Sequence, residues 1–127
     1  MMTEKKRVLV VDDEPHIVKL VKLSLGDQNY DIVGITSGKE AISYVNNNAP
    51  DILVLDLMMP GVNGYDVCQA VRENPKTKGI PIIILSAKSQ MLDKLNAIDV
   101  GADDYMCKPF DPDELARRIK LNLSMAT

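Results

Sequence analysis

The stretch ILVLDLMMPG, residues 52–61, is the part of the sequence from which the rest of the chain is best understood. Its first four residues are branched and apolar, which is typical of a strand buried on both faces of a parallel sheet. The strand ends on the carboxylate of Asp56, and the pair Pro60-Gly61 then turns the chain. Open α/β sheets bind ligands at the carboxyl ends of their strands. The stretch therefore predicts a reactive or binding site at Asp56.

Length and composition limit the classes of protein to consider. The chain has 127 residues, enough for one domain over 1–127 and too few for two ordinary ones. Its 46% hydrophobic and 26% charged residues are typical of a soluble globular protein. A net charge of −3 argues against direct binding of nucleic acid or of an anionic membrane. Residues 1–7 are largely polar and no stretch approaches a membrane span, so we expect a cytoplasmic domain.

Apolar runs alternate with segments of helical periodicity along the whole chain. The runs over 7–11, 31–36, 52–55, 80–85 and 104–107 predict five strands. Strands that alternate with helices predict a three-layer (βα)5 α/β fold, a doubly wound parallel sheet with helices on both faces. The first helix is predicted from Pro15 to about Gly26, the second begins at a Ser37–Glu40 capping box, and the third begins at the cap Asn63 and ends at Asn74. The fourth is predicted from the spacing of Leu92, Leu95 and Ile98 and ends at Gly101. The fifth begins at Asp111 or Pro112 and continues with Leu115, Ile119 and Leu123.

Chemically capable side chains follow four of the five predicted strands. They are Asp12 and Asp13 after the first, Asp56 after the third, Ser86 after the fourth and Lys108 after the fifth. Any one of them is ordinary as a helix cap, a loop hydroxyl or a solvated lysine. Because the carboxyl ends of parallel strands share one edge of the sheet, we expect all five to converge.

The residue types at this edge favour phosphoryl transfer. Three crowded carboxylates need a cation, and oxygen-only ligands favour magnesium, Mg²⁺. The sequence offers no His or Cys cluster for zinc, and Cys68 and Cys107 are expected to be buried free thiols. Lys108 would supply a positive charge and Ser86 a hydroxyl around a carboxylate nucleophile.

Two neighbours of the site are interpreted more simply. Glu14 is expected only to begin the first helix, where acids suit the helix dipole, and it is given no metal role. His16, the sole histidine, is expected to be exposed in the first turn of that helix. The phosphoryl group would then come from another protein or from a small donor.

Four motifs, in order and at matching spacing, resemble a known family: VVDDE at 10–14, DLMMPG at 56–61, LSA at 85–87 and GADDYMCKPF at 101–110. The chain is similar to the receiver domain of bacterial two-component response regulators, and to the single-domain chemotaxis regulator in size. The resemblance covers about 6–123. It implies a flavodoxin-like fold, with five parallel strands in the order 2-1-3-4-5 and five flanking helices.

The resemblance also implies roles for individual residues in the acidic site. Asp56 would be the phosphoacceptor, phosphorylated by a sensor histidine kinase in a phosphorelay. Asp13 and Asp56 would bind Mg²⁺ directly, together with the backbone carbonyl of Met58. Asp12 would act on the metal mainly through water. In this family the residue two positions after the phosphoacceptor affects how attacking water is oriented. Because that residue here is Met58, which cannot position water, the resemblance implies a long-lived phosphoryl group.

The resemblance implies a switch at the ends of the last two strands. Lys108 would bond a phosphoryl oxygen, and the Lys108-Pro109 peptide bond would be cis. Ser86 would swing toward the phosphoryl group, and Tyr105 would turn inward behind it. The surface of the fourth helix, fifth strand and fifth helix would then signal to an output domain or a downstream protein. That surface would either pair two copies on phosphorylation or stay solvated.

Two other classes of protein fit the sequence less well. A dehalogenase-like phosphatase would carry Asp-x-Asp, whereas Asp56 is followed by Leu57 and Met58. A flavodoxin-like module would cradle phosphate after the first strand, where the acidic residues 12–14 would repel it. We therefore expect a signalling domain with self-catalysed phosphorylation and slow autodephosphorylation only. The sequence leaves open whether it is a standalone regulator or part of a longer one.

Overall fold

The structure, a computed structural model, describes residues 5–26, 29–88 and 90–126 of the chain. Its strands form one sheet in the order β2-β1-β3-β4-β5, and every pair of neighbours is parallel. This confirms the predicted order and the predicted parallel sheet. The strands are β1 (Lys6–Val11), β2 (Tyr30–Ile35), β3 (Ile52–Leu55), β4 (Ile82–Ser86) and β5 (Asp104–Cys107).

Helices cover both faces of the sheet, which confirms the three-layer architecture. They are α1 (Pro15–Leu25), α2 (Gly38–Asn47), α3 (Gly64–Glu73), α4 (Met91–Asp99) and α5 (Pro112–Met125). One apolar cluster joins one face of the sheet to α1 and α5, and a second joins the other face to α2, α3 and α4. β3 is buried along its full length because both of its faces contribute to these clusters.

Side-chain caps begin three of the helices where the sequence predicts them. Ser37 accepts a hydrogen bond from the Glu40 N–H at 3.3 Å, but the reciprocal half of the predicted box is not formed in the described part of the chain. Asn63 forms a complete capping box with Asp66, with bonds of 3.0 and 3.2 Å. Asp111 caps α5, whose first residue is Pro112. These caps fix where the connections after β2, β3 and β5 end.

Two predictions about strands and cysteines need correction. β4 begins at Ile82, two residues later than predicted, because the Ile80 N–H bonds the Thr77 carbonyl in a turn and Pro81 has no N–H. Ser86 is therefore the last residue of β4 and not the residue after it. Cys68 is buried as expected, whereas Cys107 is only half-buried.

The apolar residues that predict α4 face outward. Leu92, Leu95 and Ile98 are 64%, 52% and 56% exposed, and Ala97 is the buried residue of this helix. Their helical spacing is genuine, but the sheet covers the opposite face of the helix. No helix in the ranges the structure describes has both the length and the apolar character needed to cross a membrane.

Candidate acidic site at the sheet edge

Strand register places the acidic residues side by side. Val11 of β1 pairs with Leu55 of β3, so the residues that follow them, Asp12 and Asp56, leave the sheet together. The Asp56 N–H donates to the Val11 carbonyl at 2.9 Å, which extends the pairing by one step. This confirms the predicted convergence of the first and third strand ends.

Three carboxylates lie close enough to share one cation. Asp12, Asp13 and Asp56 each offer an oxygen within 4.8 Å of the others. Asp12 and Asp56 are only 1% and 5% exposed, whereas Asp13 is exposed to solvent. Such a group of oxygens, partly buried and open on one side, fits Mg²⁺, which prefers oxygen ligands and keeps several waters.

The ammonium group of Lys108 lies among these carboxylates. Its Nζ is 2.7 Å from Oδ2 of Asp12 and 3.3 Å from Oδ2 of Asp56. The Lys108 side chain is 12% exposed, and its N–H donates to the Ser86 carbonyl at 2.8 Å. The Lys108-Pro109 peptide bond is cis, as the resemblance implies. The fifth strand end thus delivers its cation to the predicted place.

Burial and ion pairing have opposite effects on the pKa of Asp12, and also on the pKa of Lys108. Burial raises the pKa of Asp12, and the lowering by Lys108 and the Glu14 N–H does not cancel it. Burial by itself lowers the pKa of Lys108, but hydrogen bonding and charge from Asp12, together with Asp56, outweigh burial and raise it. Lys108 is therefore positively charged at neutral pH. Since burial disfavours charged Asp12, a further cation at the site would stabilise the carboxylate.

Glu14 belongs to this network, contrary to the expectation that it only begins a helix. It is the N-cap residue of α1, but its side chain makes no capping hydrogen bond. Its carboxylate lies 3.6 Å from Lys108 Nζ, and its N–H donates to Asp12 Oδ1 at 3.0 Å. An acid at the start of a helix is ordinary, so the sequence carries no local signal for this role.

The two predicted switch residues meet at the backbone of Lys88. Ser86 is fully buried, and its Oγ accepts the Lys88 N–H at 3.2 Å. The hydroxyl of Tyr105 donates to the Lys88 carbonyl at 2.7 Å, and burial raises the pKa of this half-buried tyrosine. Ser86 of β4 and Tyr105 of β5 are therefore both bonded to the connection between β4 and α4. The switching itself stays a prediction.

Met58 lies at the mouth of the site. Its side chain is 54% exposed, and its N–H donates to Asp56 Oδ1 at 3.2 Å. This bond holds the Met58 backbone N–H against the Asp56 carboxylate. The metal-ligand role of the Met58 carbonyl stays a prediction.

An apolar cavity of about 450 Å³ adjoins Lys108 between α1 and the segment after β5. Its apolar lining includes Ile17, Leu20, Ala87 and Phe110. His16 also borders this cavity and is exposed, as predicted. The acidic site thus lies beside a surface suited to contact with an apolar partner.

Comparison with known proteins gives one consistent family. Residues 8–120 match the family model described as the response regulator receiver domain. The chain is 40% identical over 123 residues to the DNA-binding response regulator MtrA of Mycolicibacterium smegmatis, covering 97% of this chain and 53% of that protein. It is 41% identical over 117 residues to the response regulator ArlR of Staphylococcus saprophyticus, covering 92% of this chain and 52% of that protein.

A solved structure agrees with these sequence relatives. The receiver domain of the Francisella response regulator 1452 is 32% identical, with a TM-score of 0.88, covering 97% of this chain and 100% of that one. The chain spans about half the length of the curated relatives it matches.

Proposed function

The chain belongs to the response regulator receiver domain family, and we propose that Asp56 is the residue on which this domain accepts a phosphoryl group. The observation that carries the proposal is the position of Lys108 between two buried carboxylates at the ends of β1 and β3. Lys108 is bonded more closely to Asp12 than to Asp56. Asp56 therefore keeps the less engaged carboxylate for attack.

The reaction is a transfer between two heteroatoms. An oxygen of Asp56 attacks the phosphorus, the bond from phosphorus to the donor's nitrogen or oxygen breaks, and an acyl phosphate forms. Lys108 moves from the carboxylates toward a phosphoryl oxygen as negative charge arrives. Asp13, Asp56 and the Met58 carbonyl would hold Mg²⁺, with Asp12 acting through water. When bound, the ion would neutralise charge on the phosphoryl oxygens.

The proposed donor is a sensor histidine kinase. His16 is the only histidine of the chain, and it lies on the rim of the apolar cavity beside the site. A kinase that delivers phosphohistidine to Asp56 must cover this neighbourhood, and the cavity offers it an apolar contact. The domain is proposed to act in the cytoplasm and not to turn over a separate substrate.

The proposed output is a change in the surface formed by α4, β5 and α5. Ser86 and Tyr105 both bond the backbone of Lys88, which leads into α4. When Ser86 moves to the phosphoryl group, the Lys88 loop and Tyr105 would move with it. The recipient would be an output domain or a downstream protein, as the DNA-binding relative suggests. This domain itself would bind neither nucleic acid nor membrane.

Treatment with acetyl phosphate and Mg²⁺, followed by intact-mass measurement, tests this proposal. The unmodified chain should gain one labile phosphoryl group, and Asp56→Asn should gain none. Asp31→Asn, at an exposed position on β2, is the matched control and should behave as the unmodified chain. Continuous turnover without a modified protein would indicate a phosphatase. A chain that is not modified and does not turn acetyl phosphate over would fit a flavodoxin-like module. That result would contradict the proposal.

A further inference from the structure

The first residue of α3 lies against the backbone of the proposed phosphoacceptor. A Cβ added to Gly64 would lie 2.7 Å from Leu57 Cα and 2.9 Å from the Asp56 carbonyl carbon, and closer still to the Asp56 carbonyl oxygen. Real Cβ atoms essentially never approach other heavy atoms within 3.0 Å. All three neighbours are backbone atoms, so no side-chain rotation could relieve the overlap.

The helix and the strand end are both held rigidly at this contact. The Gly64 N–H donates to the Leu57 carbonyl at 3.1 Å, and the Asn63–Asp66 capping box fixes the first turn of α3. On the other side, the Asp56 N–H is bonded to Val11 of β1. The backbone of Asp56 is thus clamped between the sheet and the start of α3. Neither side can yield without breaking hydrogen bonds.

We propose that Gly64 is a positioning residue for phosphorylation, because its missing side chain lets α3 set the backbone from Asp56 to Met58. This inference rests on the proposed function of Asp56. The same backbone segment carries the Asp56 carboxylate and the Met58 carbonyl. Metal sites require ligand distances within about 0.2 Å, and a displacement of about 1 Å costs roughly 100-fold in rate. A methyl group at position 64 would therefore disturb metal binding and attack together.

Other glycines of the chain separate this role from general packing. A Cβ at Gly34, on β2, would instead overlap the side chain of Val18 in α1. A Cβ at Gly79 would meet nothing within 4 Å. Gly34→Ala therefore reports a clash elsewhere in the fold, away from the backbone between Asp56 and Gly64, and Gly79→Ala reports the substitution alone.

The test measures phosphorylation by acetyl phosphate as a function of Mg²⁺ concentration in the full chain. For Gly64→Ala we expect a rate lower by about tenfold or more and a higher half-saturating Mg²⁺ concentration. Gly79→Ala should match the unmodified chain. Gly34→Ala should lose thermal stability but keep its Mg²⁺ midpoint. A Gly64→Ala protein that folds and keeps both the rate and the midpoint would overturn the inference.

A second measurement needs no variant and covers the case in which Gly64→Ala does not fold. If α3 positions the site, then Mg²⁺ with beryllofluoride must in turn stabilise the bond between Gly64 and Leu57. Hydrogen exchange of the Gly64 amide should slow on this addition, and unchanged exchange would overturn the inference. Failure of the unmodified chain to be phosphorylated would instead remove the proposed function itself.

Discussion

The ammonium nitrogen of Lys108 lies 2.7 Å from Oδ2 of Asp12, a residue 96 positions earlier in the chain. Both side chains are nearly buried, with 12% and 2% exposure. The pair ties the end of β5 to the end of β1 across the acidic site. It supplies the positive charge that lets carboxylates gather there before any phosphoryl group arrives.

Removing the charge of Lys108 should cost stability as well as function. Lys108→Gln leaves the buried carboxylate of Asp12 without its cation, and the lost charged hydrogen bond should lower the free energy of unfolding by roughly 1.5–3 kcal/mol. Urea unfolding without metal measures this. Lys88→Gln is the control, because Lys88 lies 3.8 Å from Asp93 and is 40% exposed, so it should cost less than about 1 kcal/mol. Equal losses in the two variants would contradict the argument.

The phosphoryl group should be long-lived because of Met58. Its exposed thioether side chain lies two residues after Asp56 and cannot orient an attacking water. Met58→Asn should therefore shorten the lifetime of the acyl phosphate. Intact-mass measurements at intervals after removal of the phosphoryl donor measure this lifetime. Met125→Asn, at a 74% exposed methionine, is the control and should change nothing. A lifetime of seconds that lengthens in Met58→Asn would rule the idea out.

The hydroxyl of Tyr105 should hold the loop between β4 and α4. Tyr105→Phe removes the 2.7 Å bond to the Lys88 carbonyl and should lower the free energy of unfolding by about 1 kcal/mol. The backbone amide signal of Lys88 should also shift in NMR spectra. Tyr65→Phe is the control, since no hydrogen bond of the Tyr65 hydroxyl is found within the described ranges. Equal effects of Tyr105→Phe and Tyr65→Phe would contradict the role of the Tyr105 hydroxyl in holding this loop.

The two cysteines should differ in their reaction with alkylating agents. Burial raises the pKa of the Cys68 thiol from 9.0 to about 11. The folded protein then holds this proton more tightly than the unfolded chain, so the associated stability is complete below pH 9 and is lost as the pH rises toward about 11.

Iodoacetamide at mildly alkaline pH should therefore label the half-buried Cys107 and spare Cys68 until the protein unfolds. Cys68→Ala should flatten the fall in stability above pH 9 relative to the unmodified chain. Early labelling of Cys68 in folded protein would show that its burial is not maintained in solution.

Pairing of two copies on phosphorylation should depend on apolar residues of α4. The charge of Arg118 on α5 is already bonded within the chain to Asp104 at 2.6 Å and to Glu114 at 2.8 Å, which leaves the exposed apolar residues of α4 for contact with a second copy. Leu95→Glu should therefore abolish a dimer seen by light scattering with Mg²⁺ and beryllofluoride. Leu23→Glu, at an 80% exposed position on α1, should not. An unmodified chain that stays monomeric with the mimic counts against pairing.

Several features of the site depend on contacts that no local pattern reveals. Glu14 looks like an ordinary helix start, and only the position of Lys108 shows its second role. The spacing of Leu92, Leu95 and Ile98 predicts a helix correctly, but periodicity cannot say whether the apolar face meets the sheet or solvent. Gly64 is inconspicuous until α3 is placed against Asp56.

The sequence by itself determined the five strands, the five helices and the group of residues at the strand ends, because apolar runs must be buried and parallel strands end at one edge. Only the tertiary structure decided that Lys108 sits closer to Asp12 than to Asp56, that α4 turns its leucines outward and that α3 abuts Asp56. These are distances between segments far apart in the chain. They follow from how helices pack on the sheet, and packing depends on all the side chains together.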